Sequence, residues 1–520
     1  MRTAFASKAK PGQRISHSRS YPAPIMGWVT RKALAAMNPA EAIALDNWFP
    51  KTSYLEIRGG YASHATGMTG TAKTLAVHNA MAGTSQMFCA TNSGVYDVSS
   101  AGAVGASVAS RTNGKHQWTM FGDGTNNWLI MCNGVDKPLY YDGSTWTAVD
   151  GATSPALTGV TTTTLIAPNV FKGRLFFIQN DTLSYWYLSA GAAGGALTEF
   201  DLSGEAKRGG YLVAMATWTV DGGDGIDDRA VFFTSKGEAI IYQGTNPSDV
   251  NAWAKVGSYF IGNPIGRGCV TQYGGDVLVL TQNGLIPLSS ALQSSTVDYK
   301  MALSFNIEPT FNDAARLYSG NFGWSSTVFP AQSALIVNVP VTEDGEHRQY
   351  VMNTISKAWC RFTEWDAEDF VVFNDELYFC FGTDVRKAWS GVMDLDSNID
   401  AYGKTAFSYF NQMGVQKHFK LVRPVLAVNG ALSFLTDIDV DFGDDPISGT
   451  ASYGVVAGAT WDSSDWDDAY WAAGLGVVRE WTTPGEWNGY CAAGKIKVST
   501  NSLTVQWISN DYVFETGTGL

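Results

Sequence analysis

Cysteine and histidine are scarce in this chain, with six of each among 520 residues. The cysteines (Cys89, Cys132, Cys269, Cys360, Cys380 and Cys491) are scattered and form no C-x-x-C. Isolated buried thiols are therefore expected, in a chain that folds in a reducing cytoplasm, and not a disulfide framework or zinc cluster. No two histidines have the H-x-x-x-H spacing of a metal-binding helix. No G-x-x-x-x-G-K-[ST] phosphate loop or G-x-S-x-G nucleophile elbow occurs either. No metal and no cofactor are expected. Apolar runs stay short of the ~18 residues a transmembrane helix needs, so no membrane insertion is expected. The opening residues are basic but lack the apolar segment of a signal peptide.

Glycine and aromatics, by contrast, are plentiful: 55 Gly, 18 Trp and an aromatic fraction of 13%. Aromatics suit half-buried strands, and glycine suits turns that need positive φ. The combination predicts an all-β protein of many short strands, and 520 residues predict more than one unit. Apolar strand pairs flank turn dipeptides at Gln86–Ala90 and Val95–Val98, Trp128–Cys132 and Leu139–Tyr141, and Arg174–Ile178 and Leu183–Leu188. Ala230–Thr234 with Ala239–Gln243, and Val277–Thr281 with Leu285–Leu288, repeat the pattern. These read as β-hairpins. Their starts at 86, 128, 174, 230 and 277 give a period of ~40–50 residues, the spacing of propeller blades. Packed sandwich-like sheets are the alternative. Later strand candidates are Ala334–Val339 and Glu376–Phe381, and Asn306–Tyr318 reads as a helical insertion.

The expected organisation has three parts. Residues 1–49 form an extended arm with a short helix at Arg31–Trp48, and residues 50–399 a β-propeller-like domain. Residues 400–520 form a second, C-terminal β domain, with strand candidates Lys420–Val428, Leu432–Phe442, Lys495–Ser499 and Leu503–Ile508. Charge follows this division. Residues 1–40 carry Arg2, Lys8, Lys10, Arg14, Arg19, Arg31 and Lys32 without an acid, while the whole chain is at −13. An acidic body argues against a DNA-coating protein, and the basic arm is expected to become ordered on an acidic neighbour.

Few residues suggest chemistry. Asp142-Gly143-Ser144-Thr145-Trp146 is similar to the Asp-box turn of sialidases, one residue short, and that motif is structural in those enzymes. Asp437, Asp439 and Asp441 alternate, so on a strand they share one face. They lack the glycine and glutamate of a calcium loop, which leaves a solvated face or the acidic wall of a channel. Trp461, Trp466 and Trp471, among Asp462, Asp465, Asp467 and Asp468, suggest a loop pinned to a sheet or a sugar-binding surface.

Several stretches taken together resemble a family of phage virion proteins. They are Ala44-Leu45-Asp46-Asn47-Trp48-Phe49-Pro50 with Ile57-Arg58-Gly59-Gly60-Tyr61, and Cys132-Asn133-Gly134-Val135-Asp136 with Tyr140-Tyr141-Asp142-Gly143 and Trp146. Phe322-Gly323-Trp324, Met352-Asn353-Thr354, Ala358-Trp359-Cys360-Arg361-Phe362 and Trp365-Asp366-Ala367 continue the pattern, as do Val422-Arg423-Pro424 and Phe514-Glu515. The family comprises phage structural or tail proteins, related in organisation to the tail nozzle, tail-tubular and packaged-DNA-stabilisation proteins of short-tailed phages. The resemblance implies a non-enzymatic virion protein with a propeller, made in the host cytoplasm. It would form a ring homo-oligomer, typically a hexamer, below the head–tail connector. It also implies neighbouring adaptor, fibre or needle proteins as partners, and packaged DNA passing without sequence-specific binding. Asp437, Asp439 and Asp441 then become candidates for the channel wall. The alternatives are a carbohydrate-binding tail adhesin and a propeller glycosidase.

Overall fold

The computed structural model describes residues 15–81, 83–221, 226–291, 299–447, 450–453, 475–478, 480–484 and 488–516. It is all-β and multi-sheet; among the described residues only one α-helix exceeds four residues, Glu308–Tyr318. That helix falls where the β pattern breaks in the sequence, and it buries Phe311, Ala314 and Ala315 along one face. The chain divides into two compact units, 58–397 and the two ends 1–57 with 398–520.

Among the described residues of unit 58–397, Leu157–Thr158 pairs with Gly195–Ala196 in a small two-stranded sheet, and seven larger sheets follow one another along the chain. Their first strands are Ala72–His78, Gln117–Gly122, Leu165–Phe171, Leu212–Asp221, Val270–Tyr273, Ser325–Phe329 and Asp369–Phe373. The five hairpins expected from the sequence supply the second and third strands of the first five sheets. For example, Asn127–Cys132 pairs antiparallel with Leu139–Tyr141, and Asp276–Thr281 with Gly284–Pro287. The hairpins at 86–98 and 128–141 lie in different sheets, so they do not share one sandwich layer. Ala334–Pro340 and Glu376–Phe381 are the second strands of the sixth and seventh sheets. Turn glycines matter where space is short: Gly134 has φ 77°, and a Cβ there would lie 2.7 Å from Ile166.

Consecutive sheets pack through their first strands, and the first strand of the seventh packs on Ala72–His78 of the first. The seventh sheet is also completed by the unit's own opening strand, Tyr61–Thr66, antiparallel to Asp384–Ala388. Apolar side chains fill the layers between sheets. Phe88 and Leu129 meet between the first and second, Tyr185 and Phe232 between the third and fourth, and Leu75 and Val371 between the seventh and first. The Tyr185 and Phe232 rings stack at 4.3 Å. Because each sheet is covered on both faces, strands such as Ala72–His78 are buried along their whole length.

In the unit formed by the two ends, a long ribbon pairs Lys417–Val428 with Val505–Thr516. The other edge of Val505–Thr516 takes Ile15–Pro22 over eight register pairs, and Leu55–Ile57 beyond it. A second set pairs Ala42–Asp46, Ile399–Thr405, Ala492–Thr500 and Leu432–Val440 in that order. Three expectations change here. Residues 1–49 and 400–520 share one unit, whose boundaries fall at 57/58 and 397/398. Within the expected arm, Ile15–Pro22 is a strand on the chain's own C-terminal ribbon. His17 stacks on Phe514 at 5.5 Å and Tyr21 meets Phe410 edge-on at 5.5 Å. The expected helix at Arg31–Trp48 shrinks to one 3-10 turn, Leu34–Ala36, followed by the strands Ala42–Asp46 and Trp48–Pro50. Asn38-Pro39 interrupts the helix, with the Asn38 side chain accepting from the Ala40 amide at 2.9 Å. Trp48 then gains more by full burial against Trp507, 5.6 Å away, than a surface helix would offer.

Candidate functional site

The seven first strands converge on a cavity of about 540 Å³, to which each contributes lining residues. Its wall is mainly amide, hydroxyl and small apolar, including Gln117, Thr119, Asn169, Thr217, Gln272 and Thr327. Many of these polar groups bind a neighbouring strand. Asn169 donates to the Met215 carbonyl at 3.0 Å, and the Thr217 hydroxyl returns a bond to the Val170 carbonyl at 2.7 Å. Thr74 donates to the Gly114 carbonyl at 2.9 Å, and Thr271 donates to the Ser326 carbonyl at 2.7 Å.

The ionisable groups gather where the seventh sheet meets the first. Lys73 and Glu368, both buried, pair at 3.1 Å, and Lys73 also binds Asp344. Burial pushes Glu368 above the usual carboxylate range. Burial alone would lower the Lys73 ammonium, but hydrogen bonds and charge from Asp344 and Glu368 outweigh it and raise it. Next along the chain, the half-buried Asp369 carboxylate accepts from the Leu75 amide at 3.0 Å and the Phe370 amide at 2.9 Å. Burial still pushes it up to about 7. His116, also on the cavity wall, is pushed down to about 4 by burial. Arg267 turns its guanidinium away to the Asn180 side chain at 2.8 Å and the Asn133 carbonyl at 3.3 Å. The cavity wall is thus mainly hydrogen-bonding, with His116, Arg267 and Asp369 as its titratable groups. Among the described residues no three His, Cys, Asp or Glu are grouped to hold a metal ion.

The residues singled out in the sequence lie elsewhere. Asp437 and Asp439 point into the unit of the two ends and are 4% and 1% exposed, so neither faces water on a wall. Asp439 bridges Lys404, at 2.6 Å, and Lys495. Asp441 lies past the end of the strand Leu432–Val440, at φ 48°, and accepts from the Tyr490 and Cys491 amides. The three therefore do not form one acidic face; alternation suggests a solvated face or a channel wall, but the lysines that pair with Asp439 lie inside. Asp142 caps its turn by accepting from Ser144 and Thr145, while Trp146 stacks on Tyr141 at 4.7 Å. Trp461, Trp466 and Trp471, with their neighbouring acids, lie outside the described residues.

The cluster at the seam between the seventh and first sheets was missed from sequence. One signal was available: Lys73 sits in Ala-Lys-Thr-Leu-Ala-Val-His, an apolar strand that is buried throughout. A lysine there demands a buried acid, but nothing local says which acid, because Glu368 is 295 residues away.

A scan against protein-family models finds no match, and neither does a search of curated proteins. Solved structures give weak likenesses. "BBS1N in complex with ARL6DN" covers 65% of this chain and 100% of its own, at 10% identity and a TM-score of 0.40. YCF48 from Cyanidioschyzon merolae covers 63% and 98%, at 8% identity and 0.28. The exo-beta-1,3-galactanase of Phanerochaete chrysosporium covers 77% and 97%, at 7% identity and 0.25. At these scores no function is transferred.

Proposed function

We propose that residues 58–397 form a closed seven-bladed β-propeller. We further propose that the chain is a non-enzymatic structural protein of a phage tail, a nozzle or hub ring below the head–tail connector. The observation that carries the structural role is how the polar groups at the convergence of the seven sheets are used. They tie strand to strand: Lys73 to Glu368, Leu75 to Asp369, Asn169 to Met215, Thr271 to Ser326. That use suits a rigid building block. The phage assignment rests on the sequence resemblance. The cavity, at about 540 Å³, falls in the range of small-molecule pockets, so a DNA conduit would be formed between copies and not through one. Virion localisation, a hexameric ring, and adaptor, fibre or needle partners belong to the same proposal.

Electron microscopy of the purified full chain and of virions tests it. Rings of subunits around an axial hole, at the tail position in virions, are the expected result. A monomer that never assembles, or an elongated trimer, overturns the reading.

The second reading, a carbohydrate-binding adhesin, is favoured by one feature: the same cavity is ligand-sized and lined by amides and hydroxyls. Saturable binding of a neutral oligosaccharide, weakened by Gln117→Ala, would favour it over the ring.

A further inference from the structure

The unit of the two ends carries an exposed apolar knuckle made from three chain segments. Met413, Val415, Phe442 and Tyr490 are 74%, 40%, 40% and 46% exposed. Two fixed points hold the segments together. The buried Lys417 ammonium donates to the Gln412, Val415 and Tyr490 carbonyls at 2.8, 2.9 and 2.8 Å, which uses all three of its protons. The Asp441 carboxylate accepts from the Tyr490 amide at 2.7 Å. Phe410, Asn411, Asp441 and Phe442 all have left-handed backbone, with φ between 48° and 66°. Such conformations are costly for residues with side chains and persist where the surroundings enforce them. The apolar side chains are thus displayed on a rigid frame, bordered by the exposed Asp441, Asp444 and Asp445.

We propose that residues 1–14 of the same chain dock on this knuckle. Position supports it first. The strand Ile15–Pro22 begins opposite Thr516, and Thr516 faces Lys417 on its other side. The segment therefore leaves about two strand spacings, ~10 Å, from the lysine that organises the knuckle. Fourteen residues reach up to ~45 Å when extended, so length does not limit the contact. Chemistry supports it second. Residues 1–14 carry Arg2, Lys8, Lys10 and Arg14 with no acid, and Phe5 beside Met1, Ala4 and Ala6. That is a basic segment with an apolar head, facing an apolar patch with an acidic rim. The five carboxylates of this end (Asp437, Asp439, Asp441, Asp444, Asp445) outnumber the three lysines they surround, Lys404, Lys417 and Lys495. The proposal does not depend on the tail-ring reading.

The test uses a fluorescent peptide with the sequence of residues 1–14 and two full-length chains, each diluted until gel filtration shows single copies. One is native; the other carries Arg2→Glu, Lys8→Glu, Lys10→Glu and Arg14→Glu, so its own segment is repelled. The peptide is expected to saturate the charge-reversed chain and to bind native chain at least about tenfold more weakly. In the charge-reversed background, Met413→Asp and Asp445→Lys, made separately, should each weaken binding, and raised salt should do so too. Both positions are exposed, so an unchanged melting temperature confirms that each variant is folded. Equal binding to both chains overturns the proposal and leaves a second copy as the occupant. So does absence of binding to the charge-reversed chain, or binding that neither knuckle variant changes.

Discussion

The two units are assembled from the sequence in opposite ways. In 58–397 the sheets are built mainly from strands close together in sequence, so most pairings are hairpins such as Gln117–Gly122 with Asn127–Cys132. In the other unit the pairings join the ends of the chain: Ile15–Pro22 with residues 509–516, and Ala42–Asp46 with residues 402–405. Local pairing costs little loop-closure entropy and leaves a periodic trace in the sequence; distant pairing does neither. Both units nevertheless hold a buried ion cluster where distant strands meet. In 58–397 it is Lys73 with Glu368, and in the other unit Asp439 between Lys404 and Lys495. Long-range closure, whichever unit it serves, is marked by charge placed where only apolar residues are expected.

The largest expected effects break these clusters. Asp439→Ala removes the shared carboxylate and leaves two buried ammonium groups, Lys404 and Lys495, facing each other. Breaking one buried pair costs about 3–5 kcal/mol; Lys404 keeps Asp444 at 2.9 Å and Lys495 keeps the Asp445 carbonyl at 2.6 Å, so a loss within that range is expected. Lys73→Met strands only Glu368, which can take up a proton because burial already raises it; the loss should fall at or below the bottom of the range. Urea unfolding followed by tryptophan fluorescence measures both. Equal losses would mean that the two clusters are equivalent and that the difference in stranded charge is unimportant.

Legibility followed the same division. The five hairpins and the helix near residue 310 were readable because turn dipeptides and a short apolar period lie within a dozen residues. The first strands were not, although they line the cavity. Leu165–Phe171 contains Pro168 and a register shift between Ile166 and Asn169, with Ala167 at φ 45°, so it shows no clean alternation. Asp437 and Asp439 stand two apart on one strand and both are buried, whereas alternation alone suggests a solvated face or a channel wall. The lysines that neutralise Asp439 come from neighbouring strands, Ile399–Thr405 and Ala492–Thr500, and adjacency of strands is not written in local pattern. Strand Ile15–Pro22 was hidden for the same reason: five of its eight residues are Ser, His or Arg, and its partner ends at residue 516.

A smaller effect separates the two groups on the cavity wall. Asp369 is held up to about 7, so the folded state keeps a proton that the unfolded chain releases near 3.8. Its contribution is present in acid and is lost as pH rises through 7. His116 is held down to about 4, so the folded state stays neutral where the unfolded chain takes a proton near 6.5. Its contribution is present above 6.5 and is lost as pH falls through 4. Between pH 4 and 6.5 the two slopes oppose each other, each at most about 1.4 kcal/mol per pH unit. Relative to native chain, Asp369→Asn should make stability rise more steeply with pH in this window, and His116→Gln should make it fall. Melting curves at half-unit steps of pH check the signs; two variants with slopes of the same sign would contradict the assignment.

The smallest expected effect tests how self-contained a locally coded piece is. Asp142 accepts from the Ser144 amide at 2.8 Å, the Ser144 hydroxyl at 2.8 Å and the Thr145 amide at 2.7 Å. Its own amide donates to the Thr145 carbonyl at 3.3 Å. These bonds hold the turn between Leu139–Tyr141 and Trp146–Ala148, and they explain why the carboxyl lies below the usual range: burial would raise it, but the backbone and hydroxyl bonds outweigh it. All of the partners lie within three residues, and the turn is exposed. Asp142→Ala should therefore cost about 1 kcal/mol, the ordinary size for a lost turn or cap at the surface. Amide hydrogen exchange should show lost protection at Ser144 and Thr145. Tyr140, whose strand pairs with Asn127–Cys132 on its other side, should keep its protection. A loss that spreads to the strand Asn127–Cys132 would show that the turn governs the sheet, and that local and distant contacts in this unit are less separable than the comparison with the other unit holds.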